Sequence, residues 1–352
     1  MSSITILAFF DRVSLYHTLT PFYNSKYKKM FYITDNVKYC LKNDKNKILI
    51  MVRQFLKPDV VDFDLLKKIR DKYEKIVFFN GNAGGGIPRL DILPYVDLFY
   101  NKALYKDRNL YKLEHYGDEL FTQYYHEKYR INDTPTRKRP ILENDDDLKK
   151  LRVSWNIGIG EYPRHKFKQR VGVFSSRYIS SSLAPFFYNR KNYIFAIKEK
   201  TLGIHARLGF ASRDTIAFQR HLFLEKIKNH KDFMTGFVSQ KQFNKEIIKS
   251  KIIFSPFGWG ELCLRDFEAI LVKALLLKPD MSHLETWPDI FRDKETYIAL
   301  KWDGSDFLTK AEHYLKDNKA RNRIVDHSYN NYMSYINKID QRFESVISEI
   351  IN

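Results

Sequence analysis

Short apolar runs with polar borders recur along the chain, separated by segments whose apolar residues return every three or four positions. SITILAF (3–9), KMFYIT (29–34), KILIMV (47–52) and KIVFFN (75–80) have the length and continuity of buried parallel strands. DFDLLKKIRDKYE (62–74) is amphipathic and predicts a helix between the last two. Its Asp62 and Asp64 suit a helix start, where acidic side chains cap the backbone and oppose the dipole; the competing reading is an Asp-x-Asp metal pair. Asp11 is placed to cap a helix reaching to Tyr23. In the second half RVGVFSS (170–176), NYIFAI (192–197), TLGIHARLGF (201–210) and FMTGFV (233–238) carry the apolar runs. Helical patterns follow in IAFQRHLFLEKIK (216–228), SQKQFNKEIIKSK (239–251) and across 304–352. Strands alternating with helices predict parallel α/β sheets.

The pattern is densest in KIIFSPFGWGELCLRDFEAILVKALLLKPDMSHLETWPDI (251–290). Ile252 to Phe254 predict a strand, and Pro256, Gly258 and Gly260 a turn. A helix from about Glu261 to Lys273 and a strand at Ala274–Leu277 complete a βαβ unit. In such a helix Glu261, Arg265 and Glu268 share a face, within about 60° of one another. Two readings fit that stripe. One is a row of surface ion pairs, each contributing about 0.2–0.5 kcal/mol. The other is a ligand site at a strand's carboxyl end, where carboxylates hold sugar hydroxyls, arginine holds phosphate, and glycine admits close backbone approach.

FSPFGWGELCLRDFEAI followed by LLLKPDMSHLETWPD resembles the donor-binding half of GT-B-fold glycosyltransferases of the "glycosyl transferases group 1" type. In that type a strand and Ser-Pro lead into a helix with an Arg-x-x-Glu-Ala core, matched here by Arg265 to Ala269. The resemblance covers about 60 residues, continuing through ETYIALKWDGSDF (295–307), and LPYVDLFYNKALYKDR (93–108) resembles the end of the first domain of the same group. It implies a donor ribose on Glu268 and donor phosphates on Arg265 or the 258–260 backbone. Many retaining members have two glutamates separated by seven residues. Six separate Glu261 from Glu268, which leaves the role of Glu261 and the stereochemical outcome open.

The length of 352 residues predicts two domains. We place an acceptor-binding Rossmann-like domain at 1–165, a nucleotide-sugar-binding one at 166–330, and at 331–352 a helix returning to the first. The formal charge of +18 calls for an acidic partner: a nucleotide diphosphate, an anionic membrane surface or nucleic acid. The basic residues are dispersed, and 111–165, although rich in Tyr, Lys and Arg, matches no RNA-binding motif, so nucleic acid is not expected. Cys40 and Cys263 form neither a disulfide framework nor a metal-ligand spacing. With no signal-peptide pattern and no apolar run long enough to span a bilayer, the expected location is cytoplasmic, with peripheral attachment to the membrane's inner face as an option.

Further candidates are spread along the chain. Gly81 and Gly84–Gly86 follow a strand but lack the dinucleotide spacing, so they predict a loop at the cleft, beside the acceptor. Asp91 and Asp97 lie near it, each either a general base or an ordinary cap; with Glu261 they are the catalytic candidates. His205 and Arg207 alternate along one strand face and join Gly258, Gly260, Arg265, Glu268 and His283 as donor-binding candidates. The function expected is transfer of a sugar from a nucleotide-activated donor to a hydroxyl of a surface or lipid-linked glycan. It needs no metal and no cofactor beyond the donor as co-substrate, and domain closure would exclude water. The rivals are an alditol-phosphate transferase of the same fold using a CDP-linked donor, and a non-enzymatic basic protein binding RNA or membrane.

Overall fold

The structure is a computed structural model that describes residues 3–52, 61–136, 138–156, 166–181, 183, 186 and 198–352. In the first half the strands are β1 (Ile4–Leu7), β2 (Phe31–Thr34), β3 (Ile48–Val52), β4 (Lys75–Phe79), β5 (Leu98–Asn101), β6 (Ala103–Tyr105) and β7 (Leu151–Val153). All but β6 form one parallel sheet in the order β2-β1-β3-β4-β5-β7. The second half contributes β8 (Leu202–His205), β9 (Phe233–Met234), β10 (Ser250–Phe254), β11 (Leu275–Pro279), β12 (Leu284–Thr286) and β13 (Ile298–Leu300). Its parallel sheet runs β13-β11-β10-β8-β9.

The period of two along β10 and β11 divides the apolar residues between two cores. Ile253 and Leu276 join the large core that continues into the first half. Ile252, Phe254, Leu275 and Leu277 face the other way, onto Phe223, Phe307 and Ile324. This double burial explains why both strands read as unbroken apolar runs.

The two sheets meet at their carboxyl edges. Ala83, just past β4, accepts a hydrogen bond at 2.8 Å from the N–H of Leu262, just past β10. Beside this contact β6 and β12 pair antiparallel, Leu284 opposite Tyr105, and so join the halves through a shared ladder. The last helix, Ile339–Ile351, returns to the first sheet. There Phe343 packs edge-on against Phe22, Glu349 accepts from Tyr100 at 2.5 Å and from Arg152 at 2.5 Å, and Lys75 reaches the Glu349 carbonyl. Two Rossmann-like parallel sheets with facing carboxyl edges and a returning C-terminal helix make the GT-B architecture.

Three readings are corrected. RVGVFSS is not an extended run: it lies within the helix Lys166–Tyr178. Residues 233–238 yield only the two-residue edge strand β9, and 11–23 breaks into two short turns of helix, 14–18 and 20–24. NYIFAI (192–197) lies outside the described residues. The capping readings hold: Asp62 accepts from the N–H of Leu65 and Asp11 from that of Ser14. Among the described residues no helix is long and apolar enough to cross a membrane.

Candidate active site

The central helix begins later than its pattern suggests. It spans Leu264–Leu271, with Cys263 in extended conformation as N-cap and Asp266 accepting from the Cys263 N–H at 2.9 Å. Asp266 is itself fully buried, 3.0 Å from the equally buried Lys278 and 2.5 Å from the Ser255 hydroxyl. Glu261 therefore lies outside the helix, and the three-residue stripe is corrected to two, Arg265 and Glu268. The 255–262 segment crosses to the first half instead, and carries Glu261 there.

Glu261 is fully buried in the seam between the halves. The Gly85 N–H donates to its Oε2 at 3.1 Å, and His283 Nε2 lies 3.5 Å from its Oε1. The neighbouring glycines exist for this approach. A Cβ on Gly84 would stand 2.4 Å from the Glu261 carboxylate, and one on Gly260 2.6 Å from the carbonyl carbon of Ala83. The loop 84–86 is thus packed rather than open beside an acceptor, and Gly260 meets protein backbone rather than a donor. His283 leads into β12 and stands between Tyr105 and Trp302, so the 280–287 segment is part of the seam and not a free loop.

Sequence reasoning missed the rest of this seam. Glu119 accepts from Arg213 at 2.9 Å, and Asp133 accepts from both the N–H and the hydroxyl of Thr215, capping a helix of the opposite half. Burial pushes the Glu119 carboxyl up to about 8, against the pull of Arg213. No local pattern marks these residues: the partner of each lies 82 or more positions away.

A second cluster gathers at the carboxyl edge of β8 and β10. His205 and Arg207 do share a face, and both turn to Glu246: Arg207 binds it through Nε at 2.5 Å and Nη2 at 2.9 Å, and His205 stands 3.7 Å away. His205 is fully buried with its ring edge-on to Phe243, and burial draws its imidazole down to about 4. It lies beneath the surface, which corrects its placement as a donor ligand. Arg207 has spent its fork on a carboxylate. Arg220 has not. It donates to the carbonyls of Gly209 and Phe257, its Nε is buried without a partner, and it stands 3.8 Å from where a Cβ of Gly258 would be. Arg265 lies over the Phe243 ring at 5.6 Å. Burial, and then the charge of Arg265, draw Arg220 below the usual guanidinium range; burial does the same to Arg265, with Glu268 opposing. Gly258, Arg220, Arg265 and Glu268 are thus brought to one place.

The two aspartates separate. Asp97 pairs with Arg70 at 2.6 Å and accepts from the Ile76 N–H at 2.7 Å. Ile76 is the second residue of β4 and Asp97 immediately precedes β5, so Asp97 lies at the amino edge of the sheet, opposite the cleft, and holds the sheet rather than an acceptor's proton. Asp91 is half-buried, 3.5 Å from Arg89, with Oδ1 buried and unpartnered; burial raises its carboxyl.

No protein-family model matches the chain, and no curated protein matches it. Solved structures do resemble it. The C-terminal domain of a glycosyl transferase group 1 family protein, LpcC, from Francisella tularensis is 15% identical, over 39% of this chain and 86% of that one, at a TM-score of 0.28. A glycosyltransferase from Rickettsia africae is 8% identical over 100% and 99% of the two chains, at 0.49. Anabaena HepE, solved with UDP-glucose, is 7% identical over 98% and 99%, at 0.47. Likeness this slight carries no argument about chemistry; the architecture rests on the strand orders and the facing carboxyl edges described above.

Proposed function

We propose that the protein is a glycosyltransferase that moves a sugar from a nucleotide-activated donor to a hydroxyl of a glycan or lipid-linked glycan, without a metal. The observation that carries this reading is Arg220 beside Gly258, with Arg265 near enough for its charge to act on Arg220. Two like charges, both drawn from water, attract a shared anion. Arg220 meets only the main-chain oxygens of Gly209 and Phe257, so its charge is not neutralised by a carboxylate as that of Arg207 is. The pair sits at a carboxyl strand edge, where α/β sheets bind nucleotides. A diphosphate there would lie between the arginines and the 257–260 backbone, with Glu268, one helical turn from Arg265, in reach of the ribose hydroxyls. During transfer the same guanidinium groups would stabilise charge on the departing diphosphate. Of the three carboxylates weighed as base, Asp91 is the one not committed to the seam or to the amino edge of the sheet.

The test is calorimetric titration with UDP, GDP, CDP and their sugar conjugates, in EDTA. One nucleotide class should bind the wild type, and Arg265→Ala or Arg220→Ala should weaken it about 10- to 100-fold, the loss expected for a charge-assisted hydrogen bond. Equal affinity in wild type and both variants would remove the donor site from this edge. Binding that appears only when a divalent ion replaces EDTA would overturn metal independence.

A further inference from the structure

The helix Lys166–Tyr178 is amphipathic the wrong way round. Towards the protein it buries Gln169, Gly172, Ser175 and Ser176, and both serine hydroxyls turn back onto the Gly172 carbonyl. Towards solvent it presents Phe167, Val171, Phe174 and Tyr178, which fall within about 60° of one another on the helix. Phe167 is 77% exposed, Phe174 60% and Tyr178 67%, and Ile179 extends the stripe at 71%. A helix on the surface of a water-soluble domain does the reverse. A contiguous exposed apolar patch on a folded chain marks a contact surface.

Charge selects the partner. Residues 166–181 hold Lys166, Lys168, Arg170 and Arg177 and no acidic residue, in a chain of net charge +18. Beside the stripe, three arginines, Arg12, Arg170 and Arg177, and one carboxylate, Asp11, line a cavity of about 500 Å³ with Val173, Phe174 and Tyr178. Arg177 ties the helix to the Phe10 carbonyl at 2.8 Å, just past β1, so the stripe stands at the carboxyl edge of the first sheet.

We propose that the 166–179 face docks on an anionic phospholipid bilayer, with Phe167, Phe174 and Tyr178 entering the headgroup region and the flanking cations meeting lipid phosphate. The stripe and its cations carry this inference without the donor site. Taken with the proposed function, it makes the acceptor a lipid-borne one, delivered to the first sheet's edge from the membrane plane.

The experiment is flotation of the full chain with vesicles of phosphatidylcholine alone and of phosphatidylcholine mixed with phosphatidylglycerol. Wild type should float with the mixed vesicles and be released by salt. Phe167→Ser/Phe174→Ser/Tyr178→Ser should reduce bound protein by about tenfold or more, since these rings supply the buried apolar area. Lys168→Glu/Arg170→Glu should abolish the preference for anionic lipid. Because the altered side chains are exposed, nucleotide binding and melting temperature should stay at wild-type values; this also separates loss of docking from failure of the donor site. The proposal is overturned if wild type ignores both vesicles, or if the triple variant floats as wild type does. It is equally overturned if the wild type sediments as a dimer that the triple variant dissolves, since a second copy would then own the surface.

Discussion

At the scale of single residues, burial separates the groups that hold the fold from those that can meet a ligand. Asp266 and Lys278 are an ion pair with no exposure, and the Ser255 hydroxyl and the Cys263 N–H take up further valences of the carboxylate. Such a pair is tolerable only because its hydrogen bonds are completed inside the protein. His205 shows what the same environment does to a titratable group. Its folded value of about 4 lies below its unfolded 6.5, so the folded protein keeps it neutral while the unfolded chain takes up a proton. Its contribution is complete above the unfolded value and is lost as pH falls from 6.5 towards 4. The stability difference between wild type and His205→Gln should therefore shift by about 2–3 kcal/mol against the wild type between about pH 7 and about pH 4.5. Urea unfolding at the two pH values measures it. A difference that does not change with pH would mean that His205 titrates alike in both states.

At the scale of elements, the glycine loop is decided by what approaches it. A Cβ on Gly86 would fall 1.6 Å from the Asp118 carbonyl oxygen, a main-chain atom that no rotamer can move. Gly209, in the loop after β8, has nothing within 4 Å of its Cβ position. Gly86→Ala should cost about 3 kcal/mol or more in denaturant unfolding, and Gly209→Ala less than about 0.5 kcal/mol. Equal effects would show that loop 84–86 is looser than its packing indicates. These contacts also mark the limits of what the sequence discloses. The strands β1, β3, β4, β10 and β11 are legible because burial on both faces writes itself as a continuous apolar run. The helix 166–178 is misread because Val171, Val173 and Phe174 stand close together in sequence and mimic a strand's run, although in the helix Phe174 faces outward and Val173 packs on the core. Glu261 is misread because the spacing of Glu261, Arg265 and Glu268 fits a helix, while the true start is set by Cys263 and Asp266. The cation site is half legible: Arg265, Glu268 and Gly258 lie in one stretch, whereas Arg220 arrives from another helix. The seam is written in separated residues with no local pattern.

At the scale of the molecule, that seam makes one body of two halves. The β6–β12 ladder, Glu261 with Gly85, Glu119 with Arg213, Asp133 with Thr215 and Lys128 with Asp303 all cross it. The sequence suggested domains that close around a substrate; opening along this flank would break each of these contacts. Scanning calorimetry should accordingly show both halves melting in one transition, and two resolved transitions would contradict the seam. The same ladder bears on how the chain is made. Arg108, beside β6, and its partner Glu285, in β12, are 177 residues apart. During synthesis the first half leaves the ribosome with the edge of β6 unpaired and the loop at Gly84–Gly86 uncovered, and both wait until most of the chain has followed. An open strand edge invites pairing with other chains. Here it is three residues long, which offers a neighbouring nascent chain little to hold.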